Sequence, residues 1–380
     1  MRTAIVALAV AALVACTGRS IDRYVKSGDR YMGAHKYAEA VIEYRNAVRL
    51  DPQSARLQRK LGDAYTALRD FVGAAIAYEA AWTLDSNPET ALRAGDARLA
   101  FGDLAGAADV ARRLLQIVDT NVDAHLLLAR ALLAGGDLRP AEQELRTAIG
   151  LAPANPLPYE LLGELQRRAG NPTAAEASLV KATSLAPRAV KPRVALASLY
   201  VDTGRIDDGE RQIRTALDNA PDDPDANRAY AGLLIATDRC EDAEPYWLKV
   251  SDHTTDASGK LSLADYYVYA ARPDDAVRVL TPLTKERDEG GAARMRIAAI
   301  EYDRGDRQRA EQLADQVLAH EPDNSTALVL KARLASDRGD RQAAIDYARH
   351  ATRVDPDASG AQTLLANLEM PVPAANKVKR

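Results

Sequence analysis

Two series of small residues, recurring at steps of 33 or 34 residues, constrain the fold of this chain more than any other feature. Glycine and alanine make up about a quarter of the sequence, yet all twenty repeated positions hold one of the two. Side chains this small are needed where two helices cross at close range. The first series is Gly28, Gly62, Gly95, Ala129, Gly163, Ala197, Ala231, Ala264, Ala298 and Ala332. The second follows twelve residues later as Ala40, Ala74, Ala107, Ala141, Ala175, Gly209, Ala243, Ala276, Ala310 and Ala344.

Each repeat therefore has the pattern of two antiparallel helices that cross at one small residue each. Large apolar residues flank the small ones, as Tyr24, Tyr31 and Tyr44 do in the first repeat. Proline at the end of a repeat ends one helix or begins the next. Turns between paired helices are predicted at Gly102, Gly136, Gly170, Gly204, Gly305 and Gly339, and repeat ends at Pro52, Pro153, Pro187, Pro221, Pro322 and Pro356.

The order of residues within a repeat resembles the tetratricopeptide repeat. The first repeat carries the pattern as Tyr24, Gly28, Tyr31, Ala40, Tyr44, Ala47 and Pro52. The resemblance covers about nine-tenths of the chain. It implies an all-α fold, a right-handed α-solenoid of about ten helix-turn-helix units with a C-terminal capping helix.

The repeats are predicted to fill residues 21–358, followed by a capping helix over 359–370 and a disordered basic tail over 371–380. The third, seventh and eighth repeats match the pattern less well, since Asp119, Thr255 and Asp288 replace their closing proline. The ten predicted repeats are 21–54, 55–87, 88–121, 122–155, 156–189, 190–223, 224–256, 257–290, 291–324 and 325–358.

The N-terminus has the features of a secretion signal. Arg2 precedes twelve apolar residues at 4–15, whereas a membrane-spanning helix needs about 20. The stretch Leu13-Val14-Ala15-Cys16 resembles the lipobox of bacterial lipoproteins, which implies removal of residues 1–15 and lipid attachment to Cys16 in a short linker, 16–20. Because Thr17 follows the cysteine, the resemblance implies an outer-membrane lipoprotein facing the periplasm, or an extracytoplasmic membrane anchor in a cell without an outer membrane. The alternative is an ordinary signal peptide with an incidental cysteine.

The sequence shows no sign of chemistry of its own. A net charge of −4 argues against a nucleic-acid binder. The chain contains no GxGxxG, GxxxxGK[ST], HExxH, GxSxG or CxxC motif. Its five histidines are scattered and are interpreted as surface and turn residues, the acidic stretch 221–226 as a helix cap, and Cys240 as a bystander thiol. We therefore expect no enzyme activity, no catalytic residue, no cofactor, no metal and no small-molecule substrate.

A protein or peptide partner is expected instead. In the tetratricopeptide family the first helix of each repeat lines a groove through its second, fifth, ninth, twelfth and thirteenth positions. By resemblance the groove residues are Leu92, Leu99, Leu126, Leu133, Val194, Val201, Leu261, Val268, Tyr269 and Tyr302. The alternative is that neighbouring repeats bury these side chains. Some members of the family hold a partner's C-terminal carboxylate with a clamp that includes Asn at the ninth position. Here that Asn is replaced, for example by Asp29, Asp63 and Asp96, so binding of a C-terminal carboxylate is not expected.

The resemblance implies a non-catalytic, lipid-anchored scaffold for protein–protein interaction in the bacterial envelope. The opening repeats look similar to those of lipoproteins of the PEP-CTERM/exosortase exopolysaccharide systems and of pilus assembly. This similarity predicts a role in exopolysaccharide synthesis and export, or in a pilus or secretion machine. Two alternatives stay open: a chaperone-like periplasmic holder of unfolded clients, and an adaptor that regulates a cell-wall enzyme.

Overall fold

A computed structural model describes residues 20–254, 256–286, 290–357 and 359–369. Over these ranges every regular element is a helix and there is no strand. The elements are 21 α-helices and one short 3₁₀-helix. The predicted all-α class is confirmed, and the repeated helix pairs make the fold an α-solenoid.

The helices are labelled α1 to α21 in chain order. Helix α1 covers residues 20–33, and a 3₁₀-helix, Cys240–Ala243, leads directly into α14. The other bounds are α2 Tyr37–Leu50, α3 Ala55–Ala67, α4 Phe71–Asp85, α5 Pro88–Ala100, α6 Leu104–Ile117, α7 Val122–Ala134, α8 Leu138–Leu151, α9 Pro156–Arg168, α10 Pro172–Leu185, α11 Val190–Asp202, α12 Ile206–Asn219, α13 Pro224–Ala236, α14 Glu244–His253, α15 Ser258–Tyr269, α16 Pro273–Leu283, α17 Gly290–Asp303, α18 Arg307–Leu318, α19 Ser325–Asp337, α20 Arg341–Val354 and α21 Ser359–Glu369.

The chain divides into two compact parts between Gly204 and Arg205. In the N-terminal part each helix from α2 to α10 packs against the next, and the first helices α5, α7, α9 and α11 also contact one another in succession. In the C-terminal part each helix from α12 to α20 packs against the next, and α17, α19 and α21 contact one another in the same way. Within each part, these first helices thus share a surface.

The repeated small residues lie at the helix crossings, and all twenty are buried. At Gly62 a Cβ atom would lie 2.6 Å from Cε1 of Tyr78 on α4, far inside van der Waals contact. Ala141 is fully buried in a core cluster with Leu126, Leu145 and Leu162. The small residues therefore set how closely the helices of a repeat approach.

Each of the ten turns between paired helices contains one residue in the left-handed region. Six of these residues are the predicted glycines. The other four are His35, Arg69, Asp238 and Ala271, with φ between 56° and 63°. These four turns adopt the same backbone conformation without glycine, at a typical cost of about 1–2 kcal/mol each.

Asparagine and aspartate side chains cap many of the helices. In the acidic stretch 221–226, the Asp223 carboxylate accepts hydrogen bonds from the N–H groups of Asp225 and Ala226 at the start of α13. The interpretation of this stretch as a helix cap is confirmed.

Candidate partner-binding surface on the first helices

The candidate binding surface is the exposed side of the odd-numbered helices, called here the first-helix face. It comprises the second, fifth, ninth, twelfth and thirteenth residues of each repeat. Because first helices contact one another within each part, neighbouring repeats contribute to one continuous surface there. The burial of its residues decides what a partner can reach.

Most of the apolar residues proposed for this face in the N-terminal part are covered. Leu126 and Leu133 are only 4% and 8% exposed, because they pack in the core formed by α7, α8 and α9. Leu92 and Leu99 are half-buried against the neighbouring cluster around Leu114. Two further candidates, Val194 and Val201 on α11, are half-buried. These side chains contribute more to packing between repeats than to an open surface.

In the C-terminal part the proposed residues separate into two groups. Leu261 is buried, and Tyr302 is half-buried, with its hydroxyl donating to Asp337 at 2.8 Å. Val268 and Tyr269, at the end of α15, are 46% and 64% exposed. Of the ten proposed residues, these two alone present a large apolar area to a partner.

Ion pairs connect consecutive first helices across this face. Each joins an aspartate at the ninth position of one repeat to a cation on the first helix of the next. The nitrogen–oxygen distances are 2.7 Å for Lys60–Asp29, 2.8 Å for Arg93–Asp63, 2.6 Å for Arg130–Asp96 and 2.8 Å for Arg296–Asp265. The cationic partners of these aspartates were not predicted, although the 30–34-residue spacing of acid and base is visible in the sequence.

In the first two repeats the ion pairs are joined to the core by tyrosines. The Tyr44 hydroxyl donates to Asp29 at 2.5 Å, and the Tyr78 hydroxyl donates to Asp63 at 2.7 Å. Burial would raise the pKa of Asp29, but hydrogen bonds from Lys60 and Tyr44 outweigh it and hold that pKa below its usual value. Burial and the neighbouring Asp63 raise the pKa of Tyr78 to about 12. The network therefore favours ionised aspartates and neutral tyrosines.

A cavity of about 470 Å³ opens on this face between α3 and α5. Its apolar lining comes mainly from Ala67, Phe71, Ala97 and Ala100, and its polar lining from Asp63, Thr66, Tyr78, Arg93 and Asp96. The volume is that of a small-ligand or side-chain pocket. Ala67 and Ala100, the thirteenth residues of the second and third repeats, leave this space open because their side chains are small.

A second cavity of about 310 Å³ lies in the C-terminal part between α17, α19 and α21. Met295, Val329 and Leu330 supply its apolar lining, and Arg333 and Asp355 are its charged residues. Both cavities therefore lie on first helices and combine apolar walls with charged residues.

Glu160 is the fifth residue of the fifth repeat and lies half-buried on the same face. Burial raises the pKa of its carboxyl, and the positive charge of Lys191 on the next first helix offsets this only in part. A carboxyl in this position favours a partner that brings a positive charge.

One histidine interpretation was wrong. His125 is neither a surface nor a turn residue: it is 8% exposed in α7. Its Nδ1 lies 2.6 Å from Glu144 Oε2 and its Nε2 lies 2.9 Å from the carbonyl oxygen of Asp119. The ring fills a core position of the repeat because both nitrogens have partners there.

The described residues contain no cluster of histidine, cysteine and acidic side chains that could hold a metal ion. Cys240 is a half-exposed free thiol at the start of the 3₁₀-helix of the seventh repeat, and Trp247 packs against Tyr266 with ring centroids 6.5 Å apart. No convergent set of catalytic groups occurs on the first-helix face within the described ranges.

The proposed signal peptide, the lipid attachment residue Cys16 and the basic tail lie outside the described residues. No helix over the described ranges has both the length and the apolar character needed to cross a bilayer. The predicted capping helix is represented by α21, which packs against α20.

Comparison with known proteins identifies the repeat. A family model described as "Tetratricopeptide repeat" matches residues 98–165, 166–233 and 301–368, more than half of the chain. A model described as "TPR repeat" matches 28–68, and a further "Tetratricopeptide repeat" model matches 261–326. No curated protein matches the sequence.

Several solved structures are similar to this chain. A tetratricopeptide repeat protein of Parabacteroides merdae is 22% identical, with 65% of this chain and 98% of that chain covered and a TM-score of 0.47. PilF of Pseudomonas aeruginosa is 22% identical, with 60% and 99% covered and a TM-score of 0.42. A thermophilic tetratricopeptide repeat protein of Thermus thermophilus is 26% identical, with 48% and 100% covered and a TM-score of 0.44.

Proposed function

Because this chain belongs to the tetratricopeptide repeat family, we propose that it is a non-catalytic scaffold that binds a protein partner on its first-helix face. One observation carries the proposal: the 470 Å³ cavity between α3 and α5, with apolar walls and charged residues at its edge. Cavities of this kind accept a side chain of an extended or helical peptide. The exposed Val268 and Tyr269 offer a second apolar contact in the C-terminal part.

The proposed location is the periplasmic side of the bacterial outer membrane, with a lipid on Cys16. The support is the order of features in residues 1–16: a basic start, twelve apolar residues and the Leu13-Val14-Ala15-Cys16 motif. More than one acyl chain makes such an anchor stable. The proposed role is assembly of an exopolysaccharide, pilus or secretion machine, with the lipid holding the scaffold at the membrane.

The lipid is tested by labelling cells with palmitate. Cys16→Ser should abolish labelling and release the protein from the membrane fraction. Cys240→Ser is the matched control, since it removes the other cysteine, and it should leave labelling unchanged. Labelling that persists in Cys16→Ser would contradict the proposed anchor.

The partner is tested by affinity capture from envelope extracts with residues 17–380, which keep every described helix. Ala100 is an exposed wall residue of the cavity, so Ala100→Trp should fill the cavity and lose the partner. Ala177→Trp places the same side chain on the exposed outer face of α10, away from the first-helix face, and should retain it. Capture of many unfolded clients, equally by both variants, would favour the chaperone-like holder instead.

A further inference from the structure

The outer faces of the second helices differ between the first two repeats and all later ones. The sixth residue of each regular second helix is exposed and points away from the packed side. In α2 and α4 this residue is Ile42 and Ile76. At the equivalent position, the 22nd of each repeat, the later repeats carry Asp109, Gln143, Ala177, Arg211, Pro245, Arg278, Gln312 and Asp346. A large apolar side chain occupies this position in the first two repeats and in none of the later eight.

The difference is largest in α4. Val72 and Ile76 are one helical turn apart and are 51% and 64% exposed, while the opposite side of α4 is buried through Ala74, Tyr78 and Ala81. Ile42 on α2 is 59% exposed. A helix that is apolar on both sides normally has a partner on both sides. The described chain covers only one side of α4.

Other exposed apolar side chains are arranged differently. Several are the last residues of their second helices, at the edge where one repeat meets the next; these are Leu50, Ile117, Leu151 and Val354. Such single residues at helix ends are ordinary on protein surfaces. The surface formed by Ile42, Val72 and Ile76, called here the outer apolar face, lies instead in the first half of two consecutive second helices.

The proposed lipid on Cys16 indicates what covers this face. Cys16 precedes Ser20 by four residues, a reach of at most about 14 Å. If Cys16 carries the lipid, the first repeat lies at the membrane surface, so this inference rests on the proposed anchor. The eight later repeats, whose second helices carry isolated exposed apolar residues such as Val180 and Leu248, follow farther along the chain.

The charge of α2 is also complementary to an anionic surface. In α2 and the turn before it, three cationic side chains are exposed against one exposed carboxylate, Glu39. The cations are Lys36, Arg45 and Arg49. On α4 the carboxylates of Glu79 and Asp85 are paired with Arg98 and Arg59. Basic side chains beside an apolar face are typical of surfaces that lie on anionic lipids.

We infer that the outer apolar face rests on the anionic membrane surface to which the N-terminal lipid attaches. A lipid anchor alone leaves a protein free to turn on its linker. Insertion of Ile42, Val72 and Ile76 among the lipid headgroups fixes the orientation of the first two repeats. The first-helix face of these repeats then points away from the lipid, toward a partner. Three side chains fall well short of the roughly 800 Å² per partner that a stable protein interface buries, but they suffice to orient a tethered molecule.

The test uses residues 17–380 without any lipid, so that it measures the surface alone. Flotation with vesicles of phosphatidylethanolamine and phosphatidylglycerol should recover this protein, and neutral phosphatidylcholine vesicles should recover much less. Ile42→Ser combined with Ile76→Ser should weaken partition at least about tenfold, since each exposed isoleucine contributes about half of a full burial. Gln143→Ser combined with Gln312→Ser, at the equivalent positions of later repeats, should change nothing. Melting curves of both double variants check that the fold is intact.

Equal flotation of the wild type and the Ile42→Ser/Ile76→Ser variant would overturn the inference. A photo-crosslinking residue at position 76 that captures an envelope protein rather than lipid would overturn it in favour of a protein partner. Failure of the anchor is a separate result: absence of palmitate on Cys16 with unchanged vesicle binding would refute the lipid attachment and leave the membrane-binding face standing.

Discussion

The second and fourth repeats build the same helix crossing with side chains of different size and polarity. In the second repeat Gly62 faces Tyr78, whose hydroxyl crosses to Asp63 on the first-helix face. In the fourth repeat the small residues are Ala129 and Ala141, and Leu145 fills the same cluster without a polar atom. The first repeat is built like the second: Gly28 packs against Tyr44, whose hydroxyl donates to Asp29. The difference shows that in the first two repeats core packing and surface charge form one connected structure.

That connection reaches the candidate binding cavity. Tyr78, Asp63 and Arg93 all line it, so the core of the second repeat fixes the positions of the charged groups a partner would meet. In the fourth repeat Leu145 fixes packing only. We therefore expect mutations at the two crossings to differ in their effect on the binding surface as well as in stability.

The largest effect is expected from overpacking the apolar crossing. Ala141 is fully buried, so Ala141→Leu should lower the free energy of unfolding by about 3 kcal/mol. Urea denaturation measures the change. Ala177→Leu, on the exposed outer face of α10, is the control and should be close to neutral. An unchanged transition for Ala141→Leu would mean that this residue does not lie at a crossing.

A smaller loss, about 2 kcal/mol, is expected from Gly62→Ala, because the added Cβ would lie 2.6 Å from the Tyr78 ring. Gly232→Ala is the matched control, since it lies within α13 with no atom near its Cβ, and it should be stabilising by about 0.5–1 kcal/mol. Adding Tyr78→Leu should recover part of the Gly62→Ala loss. Independent, additive effects of the two substitutions would contradict the direct contact.

The tyrosine also predicts a dependence on alkaline pH. The folded pKa of Tyr78, about 12, lies above the usual value of 10.0. Its contribution to stability is therefore fully present below pH 10 and is lost as the pH rises toward 12. Tyr78→Phe should reduce the fall in unfolding free energy over this range by about 2 kcal/mol. Denaturation at both ends of the range measures the difference, and parallel pH curves for the two proteins would refute the prediction.

The smallest effect is expected from neutralising one aspartate of an ion pair. The comparison is between a pair that also accepts a tyrosine hydroxyl and a pair that does not. Asp63→Asn removes the negative charge on the group to which both Tyr78 and Arg93 donate, and should cost about 0.5–1 kcal/mol. Asp265→Asn removes only the pair with Arg296, which is exposed, and should cost about 0–0.5 kcal/mol. Equal losses would show that the Tyr78 hydroxyl does not strengthen the ion pair.

The sequence predicted the fold well because the constraint is local. Small residues at a fixed spacing are required by the crossing itself, and glycine at six turns is favoured by the left-handed backbone there. The turns at Arg69 and Ala271 lacked that signal, since the backbone adopts the same conformation without glycine.

The candidate site was harder to predict, because it depends on contacts between repeats. Leu126 and Leu133 occupy positions that face a partner in the family pattern, yet the neighbouring α8 and α9 help to cover them. The α3–α5 cavity exists because small residues from two separate repeats meet, and one repeat read alone does not reveal it. His125 filled a core position that the sequence alone had assigned to solvent.

Site-specific photo-crosslinking in cells tests the central claim, partner binding on the first-helix face, most directly. A photo-crosslinking residue in place of Ala100 reports on the cavity, and one in place of Gln143 on the outer face of α8 serves as the control. We predict one dominant protein adduct from position 100 and none from position 143. Absence of an adduct at position 100 while one forms at position 143 would contradict the account.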